Sequence, residues 1–515
     1  MTPRPLSLFN SLGREQGPFQ SVEPGHVRLY SCGPTVYNDA HIGNLRAYVF
    51  VDTLRRALAW KGYAVTHVTN ITDVGHLTSD ADEGEDKMER AAARSQRSVW
   101  EIAQHYTQAF HRDVERLNIL PPSIWSKATD HIQEMIAFAV ILERNGFTYK
   151  LHDGLYFDTS RVPNYGQLGL MSLEGQEAGK RVAGPQEKRN PSDFVIWRCS
   201  ASDQRRLMEW NSPWGVGVPG WHLECSVMSA KYLGTQFDIH TGGVDHRTIH
   251  HCNEIAQNQG YSQSTHPGAN WWMHNEFLVV RSGDAGAKMS KSTGDFLTLQ
   301  TLVDRGIHPL VYRLFLLGAS YRSSVEFSWD ALSGTRSYLR RLLLKVDLLK
   351  QKASPDTVRR VMSLAYDVRF QSGGPFTFLQ QALVEQTSSA AVTAYRDALD
   401  EAISNDLHTP DALVILGRIL EDSSLSVNEA LTMVALVDLF LGLNLVHMSV
   451  TELSIRPCTT NISEDHIAAL VTQRQQARAA KDFSAADALR KQLVDSGVEI
   501  KDGPEGTAWE WVVPK

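Results

Sequence analysis

The stretch from residue 27 to residue 71 is the feature that most restricts the fold. Residues 27–31 alternate apolar and polar side chains as a strand does, and Cys32-Gly33-Pro34 ends the pattern. Apolar residues recur at helical spacing over 43–60, and residues 64–71 again resemble a strand. A strand, a helix and a second strand in this order predict a parallel βαβ unit, hence an α/β fold. Because ligands bind at the carboxyl ends of parallel strands, Cys32 and Thr72 lie where we expect a site.

Length and composition predict a multidomain protein of a reducing compartment. At 515 residues the chain is too long for a single core. Its five cysteines are few, odd in number and widely spaced, which argues against a disulfide framework. The first residues contain no apolar signal core, and the most apolar run, residues 430–446, contains Asp438 and Asn444. We therefore expect a cytoplasmic protein without membrane contact, in which this run is a buried helix.

Two motifs are suited to binding phosphate groups. The sequence HIGN (residues 41–44) lies where a loop meets a helix N-terminus, whose N–H groups and dipole attract anions. Gly43 lets a flat ligand approach the backbone. In KMSKS (residues 288–292), Lys288 and Lys291 lie in a small-residue loop and can clamp a triphosphate and stabilise a leaving pyrophosphate. Taken singly, a surface turn and an exposed basic loop explain the two motifs equally well.

Three segments supply groups that zinc prefers: Cys32, the pair Glu224-Cys225, and the run from His250 to Glu254. Because residues four apart share a helix face, His250 and Glu254 lie together whereas Cys252 points elsewhere. These considerations favour one candidate ligand set: Cys32, Cys225, His250 and Glu254. Spacing alone does not establish a metal, since no Cys-x-x-Cys is present, and for each cysteine a buried inert thiol remains the alternative.

Basic residues concentrate in two helical stretches of an otherwise acidic chain with a net charge of −7. The first has Arg336, Arg340, Arg341 and Lys345 on one face, and Leu339, Leu342, Leu343 and Leu348 on the apolar side. The second contains Arg474, Arg478, Lys481, Arg490 and Lys491. Both are candidate contacts to a nucleic-acid backbone, with a merely solvated face as the alternative. Trp509 and Trp511 are stacking faces for unpaired bases or core residues.

HIGN followed by KMSKS resembles the signature of class I aminoacyl-tRNA synthetases. The surrounding sequence is similar to the cysteinyl-tRNA synthetase family in these segments: CGPTVYNDAHIGN, NITD, SPWGVGVPGWHLECSVM, GGVDH, HHCNEIAQ, WMHNEFL, KMSKSTGDF and YRSSVEFSWDAL. Near the end, RQQARAAKDFSAADALRKQL and DGPEGTAW resemble the family's RNA-binding helices and tail. The resemblance covers almost the whole chain.

The resemblance implies ATP-dependent activation of L-cysteine and its transfer to the 3′ end of tRNA(Cys). It implies one catalytic zinc per chain, held by the candidate ligand set, which selects the substrate thiolate over the hydroxyl of serine. The residues implied in activation are His41, Asn44, Lys288 and Lys291. Those implied to bind ATP, supplied with Mg²⁺, are Thr35, Gly43, Gly242, Asp245, His274 and Lys291. Those implied to contact cysteine are Thr72 and Trp221.

The resemblance also predicts a domain order, and we expect a monomer. The units are a Rossmann-type catalytic domain (1–297) with a connective insertion at about 118–215, a stem-contact helical region (298–353), a linker or divergent insertion (354–389), a helical bundle (390–448) and an anticodon-binding region (463–515).

Three positions depart from the family pattern, and two other functions stay open. Val218 stands where arginine is usual, Cys252 where Glu or Thr is common, and Glu510 where a basic tail is expected. One alternative is the mycothiol-pathway ligase that joins cysteine to an amino sugar; the basic helices after residue 463 argue against it. The other is a catalytically silent RNA-binding paralogue. Retention of the HIGN histidine and of both KMSKS lysines argues against that alternative.

Overall fold

The structure is a computed structural model of the chain. It describes residues 4–75, 88–89, 91–92, 97–169, 187–201, 206–282, 285–288, 297–370, 389–503 and 506–512. Lys291 and the rest of the KMSKS motif after Lys288 lie outside the described residues.

The strands are numbered along the chain. They are β1 Ser7–Asn10, β2 Glu15–Pro18, β3 His26–Ser31, β4 Ala64–Ile71, β5 Ile124–Lys127, β6 Thr148–Leu151, β7 Gly154–Phe157, β8 Phe194–Cys199, β9 Trp210–Ser212, β10 Gly215–Pro219, β11 Phe237–Gly243, β12 Ala269–Asn275, β13 Leu278–Ser282, β14 Ala285–Lys288, β15 Val325–Phe327, β16 Val498–Gly503 and β17 Gly506–Trp511.

The α-helices are numbered in the same way. They are α1 Ile42–Trp60, α2 Val99–Arg116, α3 Ile132–Arg144, α4 Trp221–Leu233, α5 Val244–Thr248, α6 His250–Ser262, α7 Leu299–Asp304, α8 Pro309–Leu317, α9 Trp329–Lys352, α10 Pro355–Phe370, α11 Ala390–Ser404, α12 Thr409–Ile419, α13 Val427–Leu441, α14 Val450–Leu453, α15 Glu464–Ala479 and α16 Phe483–Asp495. None of the helices among the described residues is both long and apolar enough to span a membrane.

The central sheet is parallel and has the strand order β12-β11-β3-β4-β5. The predicted βαβ unit is confirmed as β3, α1 and β4, because α1 carries the chain from one parallel strand to the next. From β3 the sheet grows in one direction through β4 and β5, and in the other through β11 and β12. This reversal is a topological switch point, so a crevice opens beyond the carboxyl ends of β3 and β11.

A second, antiparallel sheet with the order β6-β7-β8-β10-β9 lies between the two halves of the parallel sheet along the chain. It falls within the insertion predicted at about 118–215, except that β10 extends to Pro219. The beginning of that prediction needs correcting, because β5 pairs with β4 in the central sheet. Strand β5 has only four residues, which is too short for a recognisable alternation.

The C-terminal half is mainly helical, and its core is built around α13. The apolar run predicted as a buried helix forms this element, and residues 430–441 are all buried. Helix α9 buries Leu339, Leu342 and Leu343 as predicted, but Leu348 is 52% exposed. At 100° per residue, Leu348 lies about 140° around the helix from Leu343, outside the apolar stripe. Helix α10 forms in the first part of the region predicted as a linker; residues 371–388 lie outside the described residues.

Residues 464–512 form a unit with its own small core, which we name the C-terminal unit. Helices α15 and α16 are followed by the antiparallel hairpin β16–β17. Trp511 is 2% exposed and belongs to this core, so the core interpretation of this tryptophan is the one that holds. Arg474 is also buried and donates to both carboxylate oxygens of Asp502 at 2.8 Å. Arg474 therefore braces the hairpin and does not belong to the predicted basic surface.

Candidate active site at the switch point of the sheet

A cavity of about 360 Å³ occupies the crevice beyond β3 and β11. It is lined on one side by the loop that follows β3 and by the first turn of α1, and on the other by the end of β11. The residues predicted to bind substrates that line it are Thr35, His41, Gly43, Asn44, Trp221, Gly242 and Asp245.

Helix α1 begins with a reciprocal cap made by the HIGN motif. The backbone N–H of Asn44 donates to His41 Nδ1 at 3.0 Å, and the backbone N–H of His41 donates to Asn44 Oδ1 at 3.3 Å. This is the geometry of a capping box, with histidine in the place usually taken by serine or threonine. Because Nδ1 accepts a hydrogen bond, the proton of the neutral ring is on Nε2. His41 thus has a donor suited to a phosphate oxygen beside the positive end of a helix.

The four candidate metal ligands converge at one end of the cavity. One ligand atom from each of Cys32, Cys225, His250 and Glu254 lies within 4.8 Å of the other three. Cys32 follows β3, Cys225 lies in α4, and the other two lie one turn apart in α6. His250 Nε2 is 3.1 Å from Glu254 Oε1. Cys225, His250 and Glu254 are buried, and Cys32, at 9% exposure, lines the cavity. The structure therefore unites groups that come from positions 32 to 254 of the chain.

Near neutral pH the ligand set contains two anions, Cys225 and Glu254, beside a protonated His250; burial would lower the pKa of His250, but Glu254 and Cys225 raise it to about 10. A hydrogen bond with Cys32 lowers the pKa of the Cys225 thiol to about 6, despite its burial. Burial raises the pKa of Cys32, so the proton between the two sulfurs belongs to Cys32. Burial opposes ionisation of Glu254 as well, but His240 and His250 outweigh it and hold the pKa of this carboxyl far below its usual range. Thiolate and carboxylate are the deprotonated forms that bind metal ions.

These residues fit a zinc ion. Two sulfurs, one imidazole nitrogen and one carboxylate oxygen form a four-donor set of the kinds that tetrahedral zinc takes. Glu254 Oε1 is buried, accepts no hydrogen bond of regular geometry among the described residues, and lies 3.1 Å from His250 Nε2, so a cation between these two groups would be bound by both. The other ring nitrogen of His250, Nδ1, lies 2.9 Å from His222 Nδ1, which orients the imidazole toward the cluster.

A layer of histidines behind the ligand set was not predicted from the sequence. His240 Nε2 lies 2.8 Å from Glu254 Oε2, and His251 Nε2 lies 3.4 Å from Cys32 Sγ. These two, with Cys32 and Glu254, form a second group whose ligand atoms all lie within 4.8 Å. The repeated histidine at 250–251 was the one sequence signal for this layer, since His240 lies alone on a strand. Gly242 is required here, because a Cβ would lie 2.7 Å from the His251 ring.

Two predicted pocket residues do not line the cavity. The hydroxyl of Thr72 donates to Glu224 Oε2 at 3.0 Å and accepts from Asn70 Nδ2, also at 3.0 Å. His274 is buried, with its ring nitrogens 2.8 Å from Ser11 Oγ and from His251 Nδ1. Both side chains therefore support the cavity wall from behind. Their direct contact with substrate stays a prediction.

The remaining sequence candidates lie at the margins of the site. Lys288 is the last residue of β14, where it pairs with Val279. Cys252 is buried, and its thiol donates to the carbonyl of Arg247 at 3.3 Å; Cys252 belongs to neither metal-ligand group. Val218 is buried in β10 opposite Arg198. The two departures from the family pattern at 218 and 252 are thus accommodated by packing and by one backbone contact.

The chain is similar to known proteins over most of its length. The model of the family "tRNA synthetases class I (C) catalytic domain" matches residues 18–337, and that of the "Cysteinyl-tRNA ligase anticodon binding domain" matches residues 464–509. Among solved structures, methionyl-tRNA synthetase of Mycobacterium tuberculosis with methionyl-adenylate is 16% identical, with a TM-score of 0.50 over 82% of this chain and 91% of that chain. The LeuRS–tRNA–LeuAMS complex of Agrobacterium radiobacter K84 is 13% identical, with a TM-score of 0.52 over 94% and 95%.

The fold is that of a class I aminoacyl-tRNA synthetase. Similar curated proteins narrow the class. Cysteine–tRNA ligase of Zymomonas mobilis is 52% identical over 98% of each chain, and that of Novosphingobium aromaticivorans is 48% identical over 98% of this chain and 97% of its own. The chain belongs to the cysteine–tRNA ligase family.

Proposed function

We propose that the chain joins L-cysteine to AMP and then transfers the cysteinyl group to the 3′ end of tRNA(Cys). One observation carries this proposal: the zinc donor set and the capped N-terminus of α1 lie against the same cavity. In this proposal a sulfur-binding site lies beside a phosphate-binding site. Membership of the cysteine–tRNA ligase family supports the same reaction.

In the first step the carboxylate of cysteine attacks the α-phosphate of ATP, and pyrophosphate leaves. Nε2–H of His41 and the positive end of the α1 dipole stabilise negative charge on the phosphate. Asn44 keeps His41 in place through the reciprocal cap. Lys288 and Lys291 stabilise the departing pyrophosphate, which Mg²⁺ accompanies. Thr35, Gly43, Gly242 and Asp245, together with His274 behind the wall, form the nucleotide end of the site.

Selection of cysteine over serine depends on the other end of the cavity. A zinc ion on Cys32, Cys225, His250 and Glu254 would supply a soft Lewis acid that prefers the sulfur of the substrate to an oxygen. Trp221 lines the cavity, with its ring 4.2 Å from that of His250, and closes this end with an apolar surface. Thr72 holds the wall through Glu224. An apolar pocket alone discriminates poorly between near-isosteres, so the donor set carries the selectivity.

In the second step a ribose hydroxyl at the tRNA 3′ end attacks the adenylate carbonyl. We assign stem contact to residues 298–353, the helical bundle to 390–448 and anticodon binding to residues 463–515, with residues 354–389 as the linker or divergent insertion. The match of residues 464–509 to an anticodon-binding domain supports the last assignment. A monomer in the cytoplasm remains our expectation.

The deciding experiment is cysteine-dependent exchange of pyrophosphate into ATP, followed by charging of tRNA. We expect exchange with cysteine and at most trace exchange with serine, and a cysteinyl ester on tRNA(Cys). Equal exchange with both amino acids would remove the proposed basis of selection. Transfer of cysteine to an amino sugar in place of tRNA would identify the small-molecule ligase instead. Absence of all exchange in the zinc-loaded protein would support the silent paralogue.

A further inference from the structure

The C-terminal unit is attached to α9 by a polar contact that we name the latch. Arg340 Nε lies 3.2 Å from Glu510 Oε2, and Arg336 Nη2 donates to the carbonyl oxygen of Trp511 at 3.2 Å. Both acceptors lie in β17, at the end of the chain. Helix α9 is packed on the main core through Leu339, Leu342 and Leu343. The latch therefore connects the small core of the C-terminal unit to the body that holds the cavity.

The latch is partly shielded from solvent. The side chains of Arg340 and Glu510 are 27% and 12% exposed. Lys501, on the neighbouring strand, also contacts Glu510, and the guanidinium of Arg456 lies 5.7 Å from the centroid of the Trp511 ring. A charge pair at this depth is screened less by salt than an exposed pair.

The contact with Glu510 reduces the basic surface of α9 that is available to RNA. The sequence predicts Arg336 and Arg340 as contacts to an RNA backbone, but the structure directs both toward acceptors of β17. Arg336 Nε is buried and has no hydrogen-bond partner among the described residues, so this nitrogen is not exposed to a bound RNA. A basic residue at position 510 would repel Arg340. An acid at this position thus converts part of a polyanion-binding face into a surface that binds the protein's own last strand.

We propose that Glu510 is a positioning residue, whose contact with Arg340 fixes the C-terminal unit relative to the active-site cavity before tRNA binds. The inference rests on the proposed function, because it assumes that one RNA must engage both places. A unit that moves freely is in the binding-competent position for only a fraction of the time, and the apparent affinity falls by that fraction. A fixed unit avoids this loss.

The proposal is tested with full-length, zinc-loaded protein in a double-mutant cycle of Glu510→Gln and Arg340→Met. We expect each single variant to raise the KM for tRNA about threefold to tenfold, with little change in kcat. Because Glu510→Gln already removes the contact that Arg340→Met removes, the double variant should be no worse than Glu510→Gln alone. Arg340→Lys keeps the charge and should restore most of the affinity. Asp495→Asn serves as the matched control, because Asp495 belongs to the same unit and its one salt bridge among the described residues is to exposed Lys491.

Two further measurements separate this inference from the proposed function. Cysteine-dependent pyrophosphate exchange needs no tRNA, and Glu510→Gln should leave it unchanged. Small-angle X-ray scattering of the free protein should show a larger radius of gyration in Glu510→Gln than in wild type or Asp495→Asn, whether or not the protein is active. A lower KM in Glu510→Gln would overturn the proposal, because the latch would then be inhibitory. Additive effects of the two substitutions on the KM for tRNA would also overturn the proposal, since Arg340 would then contact RNA directly. So would an unchanged KM and an unchanged radius of gyration in Glu510→Gln.

Discussion

Two buried polar clusters differ in how completely hydrogen bonds within the protein satisfy their polar groups. The first joins Asp52, Arg56 and Arg313, and we name it the junction network. Asp52 accepts from Arg56 Nε at 2.7 Å, from Arg313 Nη2 and from the backbone N–H of residue 120. The two guanidinium groups also donate to the carbonyls of residues 117, 118, 439 and 441. The second cluster is the zinc donor set.

Buried polar groups with complete hydrogen bonding indicate a structural role, whereas buried polar groups with incomplete hydrogen bonding indicate a binding site. In the junction network each charged group is paired and hydrogen-bonded, and the arginines cap the carboxyl end of α13. In the donor set, four ligand atoms of three chemical kinds lie within 4.8 Å of one another, and among the described residues Glu254 Oε1 has no hydrogen bond of regular geometry, only the 3.1 Å contact to His250 Nε2. A buried network whose polar groups are all hydrogen-bonded holds helices together. A buried cluster of metal-binding groups that the protein does not fully satisfy is suited to bind a cation.

The largest expected effect is on stability, from Asp52→Asn. The substitution keeps an acceptor for the backbone of residue 120 but leaves two buried guanidinium groups without their counter-charge. We expect the free energy of unfolding to fall by about 3–5 kcal/mol, measured by urea denaturation. Metal content per folded chain should be unchanged. The control is Asp356→Asn, which removes an exposed partner of Arg359 and should change stability by less than about 0.5 kcal/mol. Equal changes in the free energy of unfolding in the two variants would show that the junction network does not stabilise the fold.

The next effect is on activity, from Cys225→Ser. Loss of one sulfur from the donor set should abolish stoichiometric zinc and reduce kcat/KM for cysteine-dependent exchange about a thousandfold, since Lewis-acid contributions amount to several kcal/mol. Metal analysis and exchange kinetics check this together.

Cys252→Ser is the matched control for Cys225→Ser. Cys252 is equally buried and two residues from His250, but its thiol donates to the carbonyl of Arg247, a contact that a serine hydroxyl can also make. This variant should keep zinc and exchange activity. If Cys225→Ser retained one zinc per chain, or if Cys252→Ser lost it, the assignment of ligands would be wrong.

A smaller effect is the pH dependence that the junction network gives to stability. Burial would raise the pKa of Asp52, but Arg56 and Arg313 outweigh it and lower the pKa from 3.8 to about 2. A carboxyl whose folded-state pKa is lowered stabilises the fold above its unfolded pKa, and this contribution disappears as pH falls through the folded value. The difference in unfolding free energy between wild type and Asp52→Asn should therefore shrink by about 2 kcal/mol between pH 5 and pH 2. A constant difference would contradict this assignment.

Local periodicity is what made parts of the structure predictable from sequence. Alternation over 27–31 and 64–71 identified β3 and β4, and four-residue spacing placed His250 and Glu254 in contact. Features that depend on distant partners could not be predicted. Arg474 was assigned to a basic surface because its partner Asp502 lies 28 residues away, on a hairpin whose position no local pattern gives. His240 was missed because only the packing of β11 against α6 brings it to Glu254.

The smallest effect we expect comes from that missed residue, through His240→Gln. His240 Nε2 donates to Glu254 Oε2, because this carboxyl is ionised, and so fixes the oxygen pair that faces the metal position. Glutamine retains an N–H donor but lacks the ring that stacks on Trp272 at 4.4 Å. We therefore expect zinc affinity, measured by chelator competition, to fall about tenfold, the mild end of the range for such partners. His131→Gln removes a buried histidine bonded to Tyr232 and outside both ligand groups, and it should leave zinc affinity unchanged. Equal losses in both variants would mean that the histidine layer acts through general stability and not through the orientation of Glu254.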